Sequence, residues 1–322
     1  MLSVICPIYN EVKYIDVCIQ SILLQDYPKE HLEVLFVDGM SQDGTRDIVG
    51  NYSKQYPFIH LLDNEKRIVP MAMNIGIKAS KGDVIMRLDA HAQYPPNYFS
   101  VLTKALRFLA ADNVGAACRT DVLNKTPKTL AIREVLSNRF GVGNSTFRLG
   151  VDKVLEVDTV PFGCWKRDVF DKYGVYDERL IRNQDIELNK RIVRGGGRIY
   201  IVPDTYCVYL ARETFKGVAK NNFWKWEMEY IDSVLYETNE IPFNKTFCTV
   251  IVFVVFDCSI GYDVVLFSGC NYFVNLLIIV PHFDFCNQFI IVSEKKTVFQ
   301  LFDDDFCGFA FIVWMGIFEW DN

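Results

Sequence analysis

Asp89 and His91 stand two residues apart in "RLDAHAQ", directly after the apolar run of "GDVIM". In an extended chain, residues i and i+2 point to the same side. One carboxylate and one imidazole on one side can share a metal ion; they also make an ordinary polar strand end. Two earlier apolar runs finish in a similar way. "LSVIC" leads through Pro7 to Tyr9, Asn10 and Glu11, and "LEVLFV" leads to Asp38. A carboxylate can accept a base N–H, and an aromatic ring can stack on a base. An Asp/His pair can hold Mn²⁺ or Mg²⁺ against a diphosphate, because hard cations prefer oxygen ligands and often complete their shell with phosphate. That combination suits a nucleoside diphosphate.

These residues act together only if the chain brings the three ends to one place. The first 110 residues alternate strand and helix patterns. "EVKYIDVCIQSILLQ" has apolar residues at helical spacing after the first strand. "SQDGTRDIVGNYSKQ" opens with helix-start residues after the second. "FIHLLD" reads as a third strand, "PMAMNIGIKAS" as a helix with proline at its start, "GDVIMRLD" as a fourth strand and "PPNYFSVLTKALRFLA" as another helix. Such alternation predicts an α/β fold with a mainly parallel central sheet flanked by helices. Ligands of these sheets sit beyond the carboxyl ends of the strands, where Glu11, Asp38, Asp89 and His91 fall.

The totals narrow the class. The chain has 322 residues, 50% of them hydrophobic, which is enough for a sizeable core. A net charge of −6 argues against a nucleic-acid binder that relies on bulk positive charge. Ten cysteines without CxxC pairs read as reduced thiols, and no signal peptide is evident. No GxGxxG follows the first strand and no P-loop pattern occurs, which weakens dinucleotide-binding and P-loop readings.

Four segments in order, "SVICPIYNE", "VLFVDGMSQDGT", "NIGIKASKGDVIMRLDAHA" and "RNQDIELNKRI", resemble the family 2 glycosyltransferases of GT-A fold. Within that family the resemblance is to the bacterial enzymes that build exopolysaccharide of the succinoglycan type on a lipid carrier, and it covers roughly residues 2 to 220. It implies that Pro7, Tyr9 and Glu11 border the nucleobase and ribose, that Asp38 reads a uracil, and that Arg67 lies near the diphosphate. Asp89-Ala90-His91 matches the family's DxD, with Asp89 on ribose or metal and His91 as a metal ligand. Imidazole in place of the second carboxylate favours Mn²⁺ over Mg²⁺. Asp185 matches the catalytic base, with Gln184 where most relatives carry glutamate. Asp185 would also serve as an N-cap for the helix that follows. Loops at Gly163 and at Gly141 and Gly143 read equally as acceptor-facing segments and as plain turns. The implied activity is metal-dependent, inverting transfer of a hexose from a nucleotide sugar, UDP-linked, to a lipid-linked saccharide at the cytoplasmic face of the bacterial inner membrane. The alternatives are a non-catalytic or inactivated relative that binds nucleotide or scaffolds, and a nucleotidyltransferase, which would need a glycine-rich basic loop that "PIYNEVKYI" lacks.

The C-terminal part breaks the pattern. Residues 1–222 hold 30 Lys and Arg against 26 Asp and Glu, whereas residues 223–322 hold 4 against 14. No arginine follows Arg212, and the last 80 residues carry 15 of the 25 phenylalanines. The expected division is a transferase domain over 1–220 and an irregular or membrane-associated tail over 221–322. Val264 to Pro281 is an uncharged run of 18 residues with weak transmembrane character. The tail also reads as out of frame. A shift of one base turns Trp224 and Trp226 into glycine and Met228 into tryptophan, so "FWKWEME" becomes close to the "NFGNGKW" expected of such relatives.

Overall fold

The computed structural model of the chain describes residues 1–137, 146–181 and 183–214, and the strand backbones within 251–301. The expected alternation is present: β1 (Leu2–Ile8), α1 (Ile15–Leu23), β2 (Leu32–Asp38), α2 (Thr45–Gln55), β3 (Ile59–Asp63), α3 (Val69–Ala79) and β4 (Val84–Arg87). It continues with β5 (Ala92–Gln93), α4 (Tyr98–Phe108), β6 (Asn113–Asp121), α5 (Pro127–Ser137), α6 (Thr146–Leu149), β7 (Leu155–Glu156), β8 (Cys164–Lys166), α7 (Asp168–Tyr173), α8 (Gln184–Arg194) and β9 (Ile199–Leu210).

The chain divides into two compact units, and the described residues of the first are 1–121, 146–181 and 183–211. They form one nine-stranded sheet in the order β3-β2-β1-β4-β8-β6-β9-β5, with β7 paired to β9. The sheet is mixed. β1 pairs in parallel with β2 and β4, β2 with β3, and β6 with β9. β8 enters antiparallel between β4 and β6. The parallel pairs carry the longer ladders because helical crossovers join them, while the three-residue β8 fills the gap between the two halves.

Both faces are covered, so β2 is buried along its whole length, as an interior parallel strand must be. Alternation along β1 sends Val4 and Cys6 into one core, shared with Ile15, Cys18 and Ile19 of α1 and Phe99 and Leu102 of α4. Ile5 goes into the other core, with Met73 of α3, Trp165 of β8 and Leu188 and Ile192 of α8. In α4 the buried residues Tyr98, Phe99, Leu102, Thr103 and Leu106 recur at helical spacing. Helix α3 lies close on β1: a Cβ added at Gly76 would stand 2.5 Å from Ile5. A Gly76→Ala variant is expected to lose about 1–3 kcal/mol through overpacking, read from its urea midpoint.

In the second unit, Glu213 accepts from the backbone N–H and side-chain amide of Asn124, at 2.9 Å each. Strands at Ile251–Asp257, Tyr262–Ser268 and Leu276–Pro281 form an antiparallel sheet, and Phe289–Val292 pairs with Val298–Leu301. The described parts of the run from Val264 to Pro281 are strand backbone, in Tyr262–Ser268 and Leu276–Pro281. No helix among the described residues is long and apolar enough to cross a membrane. The proposed change of frame near residue 222 and the glycines Gly141 and Gly143 lie outside the described residues.

Candidate active site

The turns after β1 and β2 are stitched to each other. Asn10 N–H donates to Ser41 Oγ at 2.8 Å, and Asn10 Oδ1 accepts from the Gln42 N–H at 3.0 Å. Glu11 N–H donates to Thr45 Oγ1 at 2.9 Å, and Val12 N–H to Asp43 Oδ2 at 3.1 Å. Burial is the largest single influence and opposes ionisation of Asp43, but together the Thr45 hydroxyl and the Val12 and Thr45 amides hold its carboxyl below the usual range. A Cβ added at Gly39 would lie 3.1 Å from the Tyr9 ring and 3.4 Å from the Arg67 backbone. Tyr9 and Arg67, expected near the nucleotide, therefore meet across Gly39. Tyr9 is 46% exposed and Arg67 is exposed, so both are available to a ligand. Pro7, half-buried, is the next-to-last residue of β1, paired in register with Val37 of β2.

Asp38 ends β2 at this edge. Its carboxylate is fully buried and committed: Oδ1 accepts from Ser41 Oγ at 2.5 Å, and Oδ2 from the Ser41 N–H at 2.9 Å and Arg46 Nη1 at 2.7 Å. As found, it holds the turn between β2 and α2, and a base N–H would have to displace one of these donors. Arg46 also bonds Asp63 at 2.8 Å, tying β2 to β3. Arg46 was not singled out in the sequence. An Arg46→Ala variant leaves the buried carboxylate without its cation and is expected to lose about 2 kcal/mol of stability, measured by urea denaturation.

Strand β4 stops at Arg87, so Asp89 and His91 lie in the loop beyond it rather than within the strand. That loop is pinned. Asp89 N–H donates to Tyr94 Oη at 2.8 Å, and His91 carbonyl accepts from the Leu210 N–H at 2.9 Å. His91 Nδ1 faces Glu11 Oε1 at 3.4 Å, and its ring meets Tyr209 edge-on at 5.1 Å. Glu11 thus orients the imidazole, in the way that outer carboxylates orient metal-binding histidines. Asp89 and His91 are both partly exposed. Among the described residues, no group of three or more His, Cys, Asp or Glu side chains converges on a metal position.

Asp185 sits in the first turn of α8, one position beyond Gln184. The N-cap is Asn183, so the N-cap reading of Asp185 is corrected. Asp185 Oδ1 accepts from the Ile186 N–H at 3.0 Å, and the carboxylate is half-exposed. Arg87 was also missed in the sequence. Its Nη2 lies 3.2 Å from Asp89 Oδ1. Burial opposes its charge, but Asp89 first and Asp185 next outweigh burial and hold the guanidinium above its ordinary value. Of the six non-glycine residues with positive φ among the described residues, five flank this edge: Asn10, Met40, Arg67, Phe162 and Asn183. Backbone held in such conformations clusters at functional sites.

A mixed sheet of this order, with its polar loops at the carboxyl ends of β1, β2 and β4, is a GT-A fold. Two solved structures share it. TarS of S. aureus in complex with UDP-GlcNAc has a TM-score of 0.54 at 17% identity, covering 74% of this chain and 67% of that one. A mannosyltransferase from Pyrobaculum calidifontis in complex with GDP-Man and Mn²⁺ has a TM-score of 0.56 at 20% identity, covering 74% and 64%.

The chain belongs to glycosyl transferase family 2, whose family model matches residues 3–174. Among characterised relatives is the dolichyl N-acetyl-glucosaminyl phosphate diacetamido-dideoxy-glucuronosyltransferase of Methanococcus voltae, 29% identical over 224 residues, covering 68% of this chain and 70% of that one. Another is the succinoglycan biosynthesis protein ExoA of Rhizobium meliloti, 29% identical over 234 residues, covering 69% and 66%.

Proposed function

We propose that the chain is an inverting hexosyltransferase that uses a nucleotide sugar, UDP-linked, and a lipid-linked saccharide acceptor at a membrane surface. The observation that carries this reading is the convergence of Tyr9, Arg67, Glu11, Asp89 and His91 at one sheet edge, with Asp185 in the first turn of α8. The names of relatives support it: one acts on a dolichyl phosphate sugar and another in succinoglycan biosynthesis. The solved neighbours with UDP-GlcNAc, and with GDP-Man and Mn²⁺, support a nucleotide-sugar donor.

In this reading Tyr9 offers a face to the base, Glu11 keeps His91 oriented, and Arg67 approaches the phosphates. Asp89 and His91 would hold Mn²⁺ or Mg²⁺, which when bound neutralises the departing diphosphate. Asp185 takes the proton from the acceptor hydroxyl as its oxygen attacks the anomeric carbon. The carbon–oxygen bond to the diphosphate breaks, and its electron pair leaves with the nucleotide. A single displacement inverts the configuration.

The test is calorimetry of UDP, with GDP in parallel, against the full chain with and without Mn²⁺. UDP binding that depends on Mn²⁺ and weakens at least about tenfold in Asp89→Ala is the expected result. A preference for GDP overturns the uridine assignment, and binding indifferent to Mn²⁺ overturns the metal site. For residues 223–322 we propose an out-of-frame reading, which an unbroken frame across codon 222 in independent clones would sink.

A further inference from the structure

Arg87 occupies a costly position. It is 6% exposed, and its Nε and Nη1 are buried without a hydrogen-bond partner among the described residues. A buried guanidinium with most of its donors idle is destabilising on its own, so its presence calls for a task.

The geometry points to one. Ile85 and Arg87 are two apart on β4 and face the same side. Ile85 shares that core with Trp165, Tyr176, and Leu188 and Ile192 of α8. Helix α8 therefore covers the face on which Arg87 stands. Its first residue, Gln184, is buried with Oε1 unpaired among the described residues, as are Trp165 Nε1 and Tyr176 Oη. Its second residue is Asp185. On the strand side, Asp89 follows Arg87 by two and is in contact with it at 3.2 Å. Gln184 is neutral, so the carboxylates that the loop after β4 and the first turn of α8 bring toward the cation are Asp89 and Asp185.

We propose that Arg87 is a positioning residue that holds Asp89 and Asp185 to one buried cation and so fixes the nucleotide end of the site relative to the base end. It acts through the two carboxylates. The functional meaning rests on the roles proposed for them; the coupling itself does not.

Double-mutant cycles on the full chain test the coupling by equilibrium unfolding. Arg87→Met is paired with Asp89→Asn and, separately, with Asp185→Asn. Each pair is expected to couple by roughly fivefold or more in the unfolding equilibrium constant. A cycle with Asp185 that closes additively overturns the proposal. If Arg87→Met does not fold, ¹⁵N-arginine spectra decide. The Arg87 Nε–H signal, identified by its loss in Arg87→Lys, should move in both Asp89→Asn and Asp185→Asn. Movement in Asp89→Asn alone overturns the shared cation. The functional arm measures UDP affinity with Mn²⁺: roughly tenfold weaker in Arg87→Met, and restored to within about threefold of wild type in Arg87→Lys. Equal affinity in folded Arg87→Met overturns the positioning role. A wild type that does not bind UDP fails the proposed function and leaves the unfolding result standing.

Discussion

An Asp185→Asn variant is expected to transfer sugar about 10² to 10⁴ times more slowly than wild type while binding UDP with Mn²⁺ within about threefold of it. Asparagine keeps the shape and the Oδ1 that accepts the Ile186 N–H, so α8 should still start at Gln184. It gives up a charge near a helix N-terminus and one of the two proposed to face Arg87, together a loss of about 1–3 kcal/mol. What it cannot do is take a proton. An acceptor hydroxyl is a poor nucleophile near pH 7 until its proton leaves, so the loss should fall on turnover and spare binding. Unimpaired transfer by a folded Asp185→Asn chain would put the base elsewhere. An equal loss of UDP affinity would make Asp185 a binding residue.

The largest effect on stability is expected at Gly163. A Gly163→Ala chain should lose about 2–6 kcal/mol, seen as a fall in the urea midpoint at unchanged slope. Two causes add. The residue has φ of +79°, following Phe162 at +63°, where an L side chain is strained. An added Cβ would also stand 2.3 Å from the Trp165 ring. Trp165 is 1% exposed and packs against Phe170 and Tyr176 at 5.7 and 6.4 Å, so it cannot swing aside. Gly196, with φ of +80° and nothing within 4 Å of an added Cβ, isolates the backbone cause. Gly50, inside α2 with open space around it, controls for both, and alanine there should be neutral or slightly stabilising. The Gly163 carbonyl accepts from the Arg87 N–H at 3.1 Å, so the damage reaches the site as well. Gly163 thus has a structural cause, whichever loop function it also serves.

The local elements were legible because their signals are local. The run "LEVLFVD" is β2 residue for residue, and the proline of "PMAMNIGIKAS" sits in the first turn of α3. Strand β8 was not legible: three residues carry no periodicity, and its antiparallel place between β4 and β6 follows from contacts across more than fifty residues. For the same reason the sheet is mixed where alternation alone predicted mainly parallel. Glu11 and His91 were singled out from their places at strand ends, but their pairing was not. Asp38 was found from its position and is closed off by Ser41 and Arg46, which only the turn geometry reveals. Arg87 left a trace that could have been read: an arginine two places before an aspartate inside an apolar run is a charge destined for the interior.

The insertion of β8 also bears on how the protein is made. Strands β1 to β4 lie within the first 87 residues and pair with one another, but the second neighbour of β4 begins only at Cys164. At typical rates of synthesis, about 5–20 residues per second, roughly 4–15 s separate the two strands. For that interval one half of the sheet is assembled with the far side of β4 open, a bare edge of the kind that recruits other chains. The nascent protein then already carries Asp89 and His91 but not the helix bearing Asp185. Chaperone occupancy should peak in this window, and translation pauses placed before codon 164 should lower the yield of soluble enzyme more than pauses placed after codon 210.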